Sequence, residues 1–223
     1  ITVIGRTQAL PDKAEFLHGD LSTVEGIIDV AGKLRSRRVD ILINLAGVQY
    51  FGLCEQEPPE HTARLFTLNL LAPVMLAQAL LPQMKARGDG QIVNIGSIFG
   101  SINFAHFATY SSSKAGLRGC SQALGREVRD AGVAVTSVAP RAVKTAFNST
   151  RVLEYGRLTK MNMDPPEWVA AEITKAIVKR KKEVFLGFPE KLFVRLNAIA
   201  PHLVDQALAA NDGKAKALFN QQR

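Results

Sequence analysis

Cysteine is scarce. Cys54 and Cys120 are the only two in 223 residues, and neither stands in a Cys-x-x-Cys pair or at metal-ligand spacing from a histidine. A disulfide scaffold and a zinc site are both excluded, no metal is expected, and a reducing, cytoplasmic compartment fits this usage. No uninterrupted apolar run has the length a bilayer span needs. The opening Ile1-Thr2-Val3-Ile4-Gly5-Arg6 is too short, and too soon broken by charge, for a signal peptide. There are no internal repeats, no low-complexity stretches and no linker-like segment. Also missing is any G-x-G-x-x-G turn, so the usual opening of a dinucleotide-binding unit (strand, glycine-rich turn, helix) is not in these residues.

What is there is ordinary for one globular domain: 47% hydrophobic and 22% charged residues. Basic residues outnumber acidic ones, 28 against 20, for a net charge of +8. The densest cluster, Lys179-Arg180-Lys181-Lys182, closes a predicted helix, where cations suit the macrodipole and a solvated face is the simpler reading. No nucleic-acid motif accompanies it, so no nucleic-acid partner is expected.

Short apolar runs alternate with longer helical ones, which predicts an α/β fold with a parallel sheet. Strands are expected at residues 2–5, 40–47 (a buried strand ending in a tight turn), 91–95, 133–138 and 183–186. Helices are expected at 23–38, at 59–87 with Pro73 and Pro82 as kinks or boundaries, at 108–131, and at 165–181 with Asp164 as N-cap. Residues 189–210 read as an amphipathic helix bent at Pro201, with Leu192, Leu196, Ile199 and Leu203 in one apolar stripe. Residues 1–188 thus form the main domain. Residues 189–223 form a helical tail on the same domain or at an interface.

The chemistry-bearing residues stand in a fixed order. Tyr110 and Lys114, four apart at the start of a predicted helix, share one face. An ammonium beside a phenol favours the phenolate and brings it towards useful acid–base work. Ser97 follows the strand at 91–95, at the carboxyl end where open α/β sheets place their ligand crevice, and can hydrogen-bond a carbonyl oxygen. Asn69, inside the helix at 59–87, can hold a water relaying protons towards Lys114. Each alone has a plain alternative: an exposed helix pair, a turn serine, a solvated asparagine. The order Asn69, Ser97, Tyr110, Lys114 is what carries weight.

In that order the chain resembles the short-chain dehydrogenase/reductase family. Asn44-Leu45-Ala46-Gly47 is similar to the family's Asn-Asn-Ala-Gly turn, and Thr67-Leu68-Asn69-Leu70 to its catalytic-asparagine segment. Ile95-Gly96-Ser97 and Tyr110 to Lys114 are similar to its serine and Tyr-x-x-x-Lys motifs. Pro140-Arg141-Ala142-Val143-Lys144-Thr145 is similar to its Pro-Gly-x-Val-x-Thr turn. The likeness runs from Thr2 to about Leu186. It implies a Rossmann-like, doubly wound parallel sheet lacking its first strand–glycine-rich turn–helix unit, and the natural beginning is expected to precede Ile1.

The resemblance further implies that Tyr110 exchanges a proton with the substrate oxygen, Ser97 positions that oxygen, and Lys114 and Asn69 complete a relay. It places the cofactor against Arg6, Asp20, Leu21, Asn44, Ala46, Gly47, Tyr110, Lys114, Pro140, Val143 and Thr145. Asp20 has a second reading as a helix N-cap. Arg6, where an acidic residue would bind a ribose hydroxyl, suits a 2′-phosphate, so NADP(H) is expected, with NAD(H) as the alternative. Arg141 stands where the family has glycine, which implies unusual local backbone or a substrate charge. Val48, Gln49, Tyr50, Phe51, Ile98, Phe99, Phe104, Phe107 and Phe147 suggest an apolar pocket for a lipophilic carbonyl or alcohol, although for any one phenylalanine a core position is the better reading. A homodimer or homotetramer is implied through the helices at 59–87 and 108–131. The tail, with Lys191, Arg195 and His202, reads as a lid or dimer contact, or as a peripheral membrane helix. The competing function is a non-catalytic relative acting as dinucleotide sensor or scaffold.

Overall fold

The computed structural model describes residues 1–7 and 14–220. The last residues of the tail, 221–223, lie outside the described residues. Strands β1 (Thr2–Gly5) and β2 (Glu15–His18) pair in parallel. A second parallel sheet has the order β3 (Ile41–Asn44), β4 (Gly90–Ile95), β5 (Val133–Ala139) and β8 (Glu183–Phe185). Every pairing is parallel, so each connection is a crossover carrying a helix. Helix α1 (Val24–Arg35) bridges the two sheets: Ile27, Val30, Ala31 and Leu34 share one core with Leu42, Leu76, Leu80 and Met84, and with Ile4 and Leu17. The other face of the larger sheet is covered by α6 (Pro166–Val178), whose Val169 and Ala176 pack on Val93, Ile95 and Val138.

The segment at 40–47 is not a strand covered on both faces. Leu42 is buried, but Ile41 and Ile43 are 45% and 48% exposed, and Leu45 is 67% exposed. Ile43 is in register with Val93, on the face α6 covers over β4 and β5. That cover does not extend over β3. β3 is hydrogen-bonded to β4 alone, so among the described residues β1 and β3 face no common strand.

Residues 59–87 hold one helical stretch with an internal change of winding: α2 (Pro59–Phe66), a π-helical turn at Thr67–Leu71 and α3 (Ala72–Arg87). The N–H of Ala72 bonds back to the Thr67 carbonyl, and Pro73 has no N–H to offer the Asn69 carbonyl one turn below. The irregularity therefore falls before Pro73, while Pro82 sits inside α3. By length and composition this 29-residue stretch is apolar enough to cross a membrane, contrary to the expectation from uninterrupted runs; half of its most apolar window is buried inside the fold, against α1, α4 (Ala108–Glu127) and β4.

Several boundaries differ from expectation. Thr23, not Asp20, caps α1, accepting from Gly26 N. Asp20 instead accepts from the Ser22 backbone and hydroxyl in a local turn. Asp164 lies in β7 (Met163–Asp164), and Pro165 occupies the N-cap of α6. β7 pairs with β6 (Ala142–Val143), and between them runs α5 (Thr150–Thr159), none of which the periodicity predicts. The tail forms two helices, α7 (Glu190–Ile199) and α8 (Pro201–Asn220), broken at Ala200. Its predicted stripe is split. Leu196 packs inward with Val194 and Val204, while Leu192, Ile199 and Leu203 are exposed. α8 lies on α5 and α7, and contributes Val204, Leu208 and Leu218 to a core that includes Phe51, Phe107 and Tyr155.

Candidate active site

The carboxyl ends of β3, β4 and β5 open into a cavity of about 450 Å³. Gly47 lines it from the turn after β3, Ser97 from the end of β4, Tyr110 and Lys114 from α4, and Pro140, Val143 and Thr145 from the turn after β5. Tyr110 is the third residue of α4, and Lys114 one turn later points the same way, with its Nζ 5.9 Å from the phenol ring centroid. The Ser97 side chain lies close enough to the Tyr110 hydroxyl to favour its ionised form, against the effect of burial. Ser97 sits in extended backbone at the strand's end, and its Oγ accepts from Phe99 N at 3.2 Å. That bond holds the hydroxyl in place before any substrate arrives.

Burial dominates the proton affinities. Loss of water pushes the Tyr110 phenol up to about 12, with the Ser97 side chain opposing only part of it. The same cause lowers the Lys114 ammonium to about 8. The expected lowering of the phenol by its lysine neighbour is not what this arrangement produces. The ammonium lies over the ring and donates to the Ile95 carbonyl at 3.0 Å.

Asn69 is fully buried, and its side chain is committed. Oδ1 accepts from Val48 N at 2.9 Å, while Nδ2 donates to Val48 O at 2.8 Å and to Ser113 Oγ at 3.0 Å. The amide thus clamps the turn after β3 to α4. Both Nδ2 protons are therefore taken inside the fold, and Pro73 has no N–H to offer the Asn69 backbone carbonyl.

The remaining predicted positions divide. Asn44 does not reach the cavity: its Nδ2 donates to Asn94 Oδ1 at 2.7 Å, and Asn94 in turn donates to Ser121, tying β3 through β4 to α4. Ala46 is exposed beside Gly47. Arg6 is exposed just after β1, close enough to Asp20 to help hold that carboxylate below its usual range, behind the two Ser22 hydrogen bonds. Leu21 packs into the α1 core. Among the suggested pocket residues, Gln49, Phe99, Phe107 and Phe147 line the cavity. Val48, Tyr50, Phe51, Ile98 and Phe104 belong to the adjoining aromatic core.

Arg141 does not offer a free charge to a substrate. It makes a bidentate pair with Asp164, Nε to Oδ2 at 2.9 Å and Nη2 to Oδ1 at 2.7 Å, and its Nη1 donates to Glu190 Oε2 at 2.9 Å. Nor does its backbone need glycine, since it is not among the residues of positive φ. Sequence reading missed Ser113, Asn148, Met161 and Asp164. Ser113 alone lay within the motif already marked.

Gly47 tests whether a nucleotide fits. A Cβ there would stand 3.1 Å from Asn69 Oδ1 and 3.6 Å from Lys114 Nζ, so the missing side chain keeps open the space before the ammonium. The donors that converge there (an ammonium, a phenol and a hydroxyl) suit a ribose and a carbonyl oxygen.

A parallel α/β sheet with hydroxyl, phenol and ammonium gathered at its carboxyl edge defines a Rossmann-like protein with an acid–base site. The model of the short chain dehydrogenase family matches residues 2–155, and the chain belongs to that family. It is 32% identical over 205 residues to the Dehydrogenase/reductase SDR family member 7B of Danio rerio, covering 87% of this chain and 66% of the relative. The chain thus spans just under two thirds of that relative's length. A short-chain dehydrogenase of Streptomyces avermitilis superposes with a TM-score of 0.76 at 30% identity, over 94% of this chain and 87% of that one. The short-chain dehydrogenase of Sphingobium yanoikuyae, in complex with NADPH, gives 0.72 at 28% identity, over 88% and 75%.

Proposed function

We propose that the chain is an NADP(H)-dependent oxidoreductase that interconverts a carbonyl and an alcohol on a lipophilic small molecule, with Tyr110 as general acid in the reducing direction. The observation that carries this reading is that Tyr110, Ser97 and Lys114 line one largely apolar cavity, with the Lys114 ammonium 5.9 Å from the centre of the Tyr110 ring. A phenol at about 12 keeps its proton at neutral pH and can give it to an oxygen on which negative charge is developing. Ser97 orients that oxygen, and Phe99, Phe107 and Phe147 exclude water around it. Proton return to Tyr110 runs through Lys114, whose lowered proton affinity suits a donor at neutral pH.

The residues present fit a nicotinamide nucleotide at its ribose end. Lys114 and Gly47 would hold the nicotinamide ribose, Pro140, Val143 and Thr145 the nicotinamide, and Arg6 the adenosine 2′-phosphate. Bound NADPH supplies the hydride. The NADPH complex of the Sphingobium yanoikuyae relative supports the same cofactor here.

An NADPH-oxidation screen across hydrophobic ketones and aldehydes tests the reading, with Tyr110→Phe as control. The variant keeps its ring packing and is expected to bind NADPH normally while turning over at least about a hundredfold more slowly. Equal turnover by both proteins would remove Tyr110 from the mechanism. Failure to bind either NADPH or NADH would remove the oxidoreductase reading in favour of a scaffold.

A further inference from the structure

Residues 144–162 leave the sheet after β6 and return at β7, carrying α5. Phe147, Asn148, Val152 and Met161 of this excursion line the cavity, and the Phe147 ring lies 6.2 Å from that of Tyr110. Its root is slight: two residue pairs, Ala142 with Met163 and Val143 with Asp164, join the two strands. A two-residue parallel pairing is too short to hold a wall by backbone bonds alone.

Arg141 reinforces that root. Preceding β6, it grips Asp164 of β7 with a planar, two-bond fork, and its third donor reaches Glu190 at the start of α7. Glu190 also accepts from Asn162 Nδ2 at 3.2 Å, at the end of the excursion. The Arg141 arm passes directly over Gly187, where a Cβ would stand 2.7 Å from Arg141 Cδ; the φ of +93° there also favours glycine. The guanidinium and both carboxylates are largely buried, at 16%, 8% and 18% side-chain exposure. Removing the cation would leave two carboxylates facing each other with little solvent between. On the far side Gln49 Nε2 donates to the Phe147 carbonyl at 2.8 Å, so the wall is held at both ends.

We propose that Arg141, with Asp164 and Glu190, is a positioning device that fixes the substrate-side wall, residues 144–162, against Tyr110, and thereby sets affinity for the carbonyl substrate. The inference rests on the oxidoreductase reading for its kinetic consequence but not for its structural one. Arg141 itself borders the cavity, but its guanidinium is committed to Asp164 and Glu190 and not to Tyr110. It acts through the wall.

The test compares Arg141→Gly, Arg141→Lys and Glu190→Gln with the parent in the full chain. Backbone deuterium uptake over residues 144–162 should rise in Arg141→Gly, and KM for a ketone turned over by the parent should rise about tenfold or more. NADPH affinity and kcat should move less than about threefold. Arg141→Lys, which keeps the charge but loses the fork, should recover part of the loss. Glu190→Gln keeps the bidentate pair and supplies the same readings, in smaller measure, if Arg141→Gly does not fold. Uptake and KM both unchanged in a folded variant would overturn the proposal. So would loss concentrated in kcat or NADPH affinity, since that would place Arg141 in the cofactor site. If the parent reduces no carbonyl, the oxidoreductase reading falls, and deuterium uptake alone then decides whether the clamp exists.

Discussion

Lys114 Nζ donates to the backbone carbonyl of Ile95 at 3.0 Å, across the gap between α4 and the end of β4. The bond places an almost fully buried ammonium at the base of the cavity, and burial lowers its proton affinity to about 8 from 10.5. Between pH 8 and 10.5 the unfolded chain keeps a proton on this lysine that the folded chain has released, so its contribution makes stability rise with pH across that window. Below pH 8 both states are charged, and burial costs a constant amount of about 3 kcal/mol. Tyr110 acts in the opposite sense at higher pH. Its folded proton is held to about 12 against 10.0, so stability falls as pH rises between those values. Thermal midpoints of the parent, measured against Lys114→Met from pH 7 to 10.5, should therefore gain on the variant above pH 8. Parallel curves would show that the ammonium is not desolvated.

Asn69 offers a stability prediction separate from catalysis. Asn69→Ala leaves Val48 N and Val48 O without their side-chain partner and removes one of the two bonds of Ser113 Oγ. The expected loss is about 2–4 kcal/mol by denaturant unfolding. Ser113→Ala, which removes the third bond together with the Ser113 Oγ donation to the Tyr110 carbonyl but spares both bonds to Val48, should cost about 1 kcal/mol. Similar losses for the two variants would mean that the Val48 clamp contributes nothing.

The proposed preference for NADP(H) rests on Arg6. It is exposed after β1, near Asp20, and has no ion pair among the described residues. The parent should use NADPH in preference to NADH, and Arg6→Asp should reverse the order, shifting the ratio of kcat/KM values by about tenfold or more. Equal or better use of NADH by the parent would end the assignment.

Much of the site was legible because its key relations are local. A spacing of four on a helix puts Tyr110 and Lys114 on one face whatever the rest of the chain does. A serine just after an apolar strand stands at the sheet's carboxyl edge, as Ser97 does. What stayed hidden joins residues far apart in the chain: Arg141 to Asp164 and Glu190, Asn69 to Val48 and Ser113, Asn44 to Asn94. The same residue types would read as solvated surface or turn formers if judged by their neighbours in sequence. β6 and β7 were invisible for another reason. Two residues give no periodicity to detect.

By itself the sequence determined the alternation of strand and helix, the parallel sheet, and the order of hydroxyl, phenol and ammonium, because hydrophobic period and helical spacing are local properties of the chain. Only the tertiary structure decided how deeply Tyr110 and Lys114 are buried, and with it that burial raises the phenol's proton affinity instead of the lysine lowering it. Desolvation depends on every element that packs around a group, and no spacing along the chain encodes it. The same holds for Arg141, whose charge is spent on two carboxylates that the fold alone brings together.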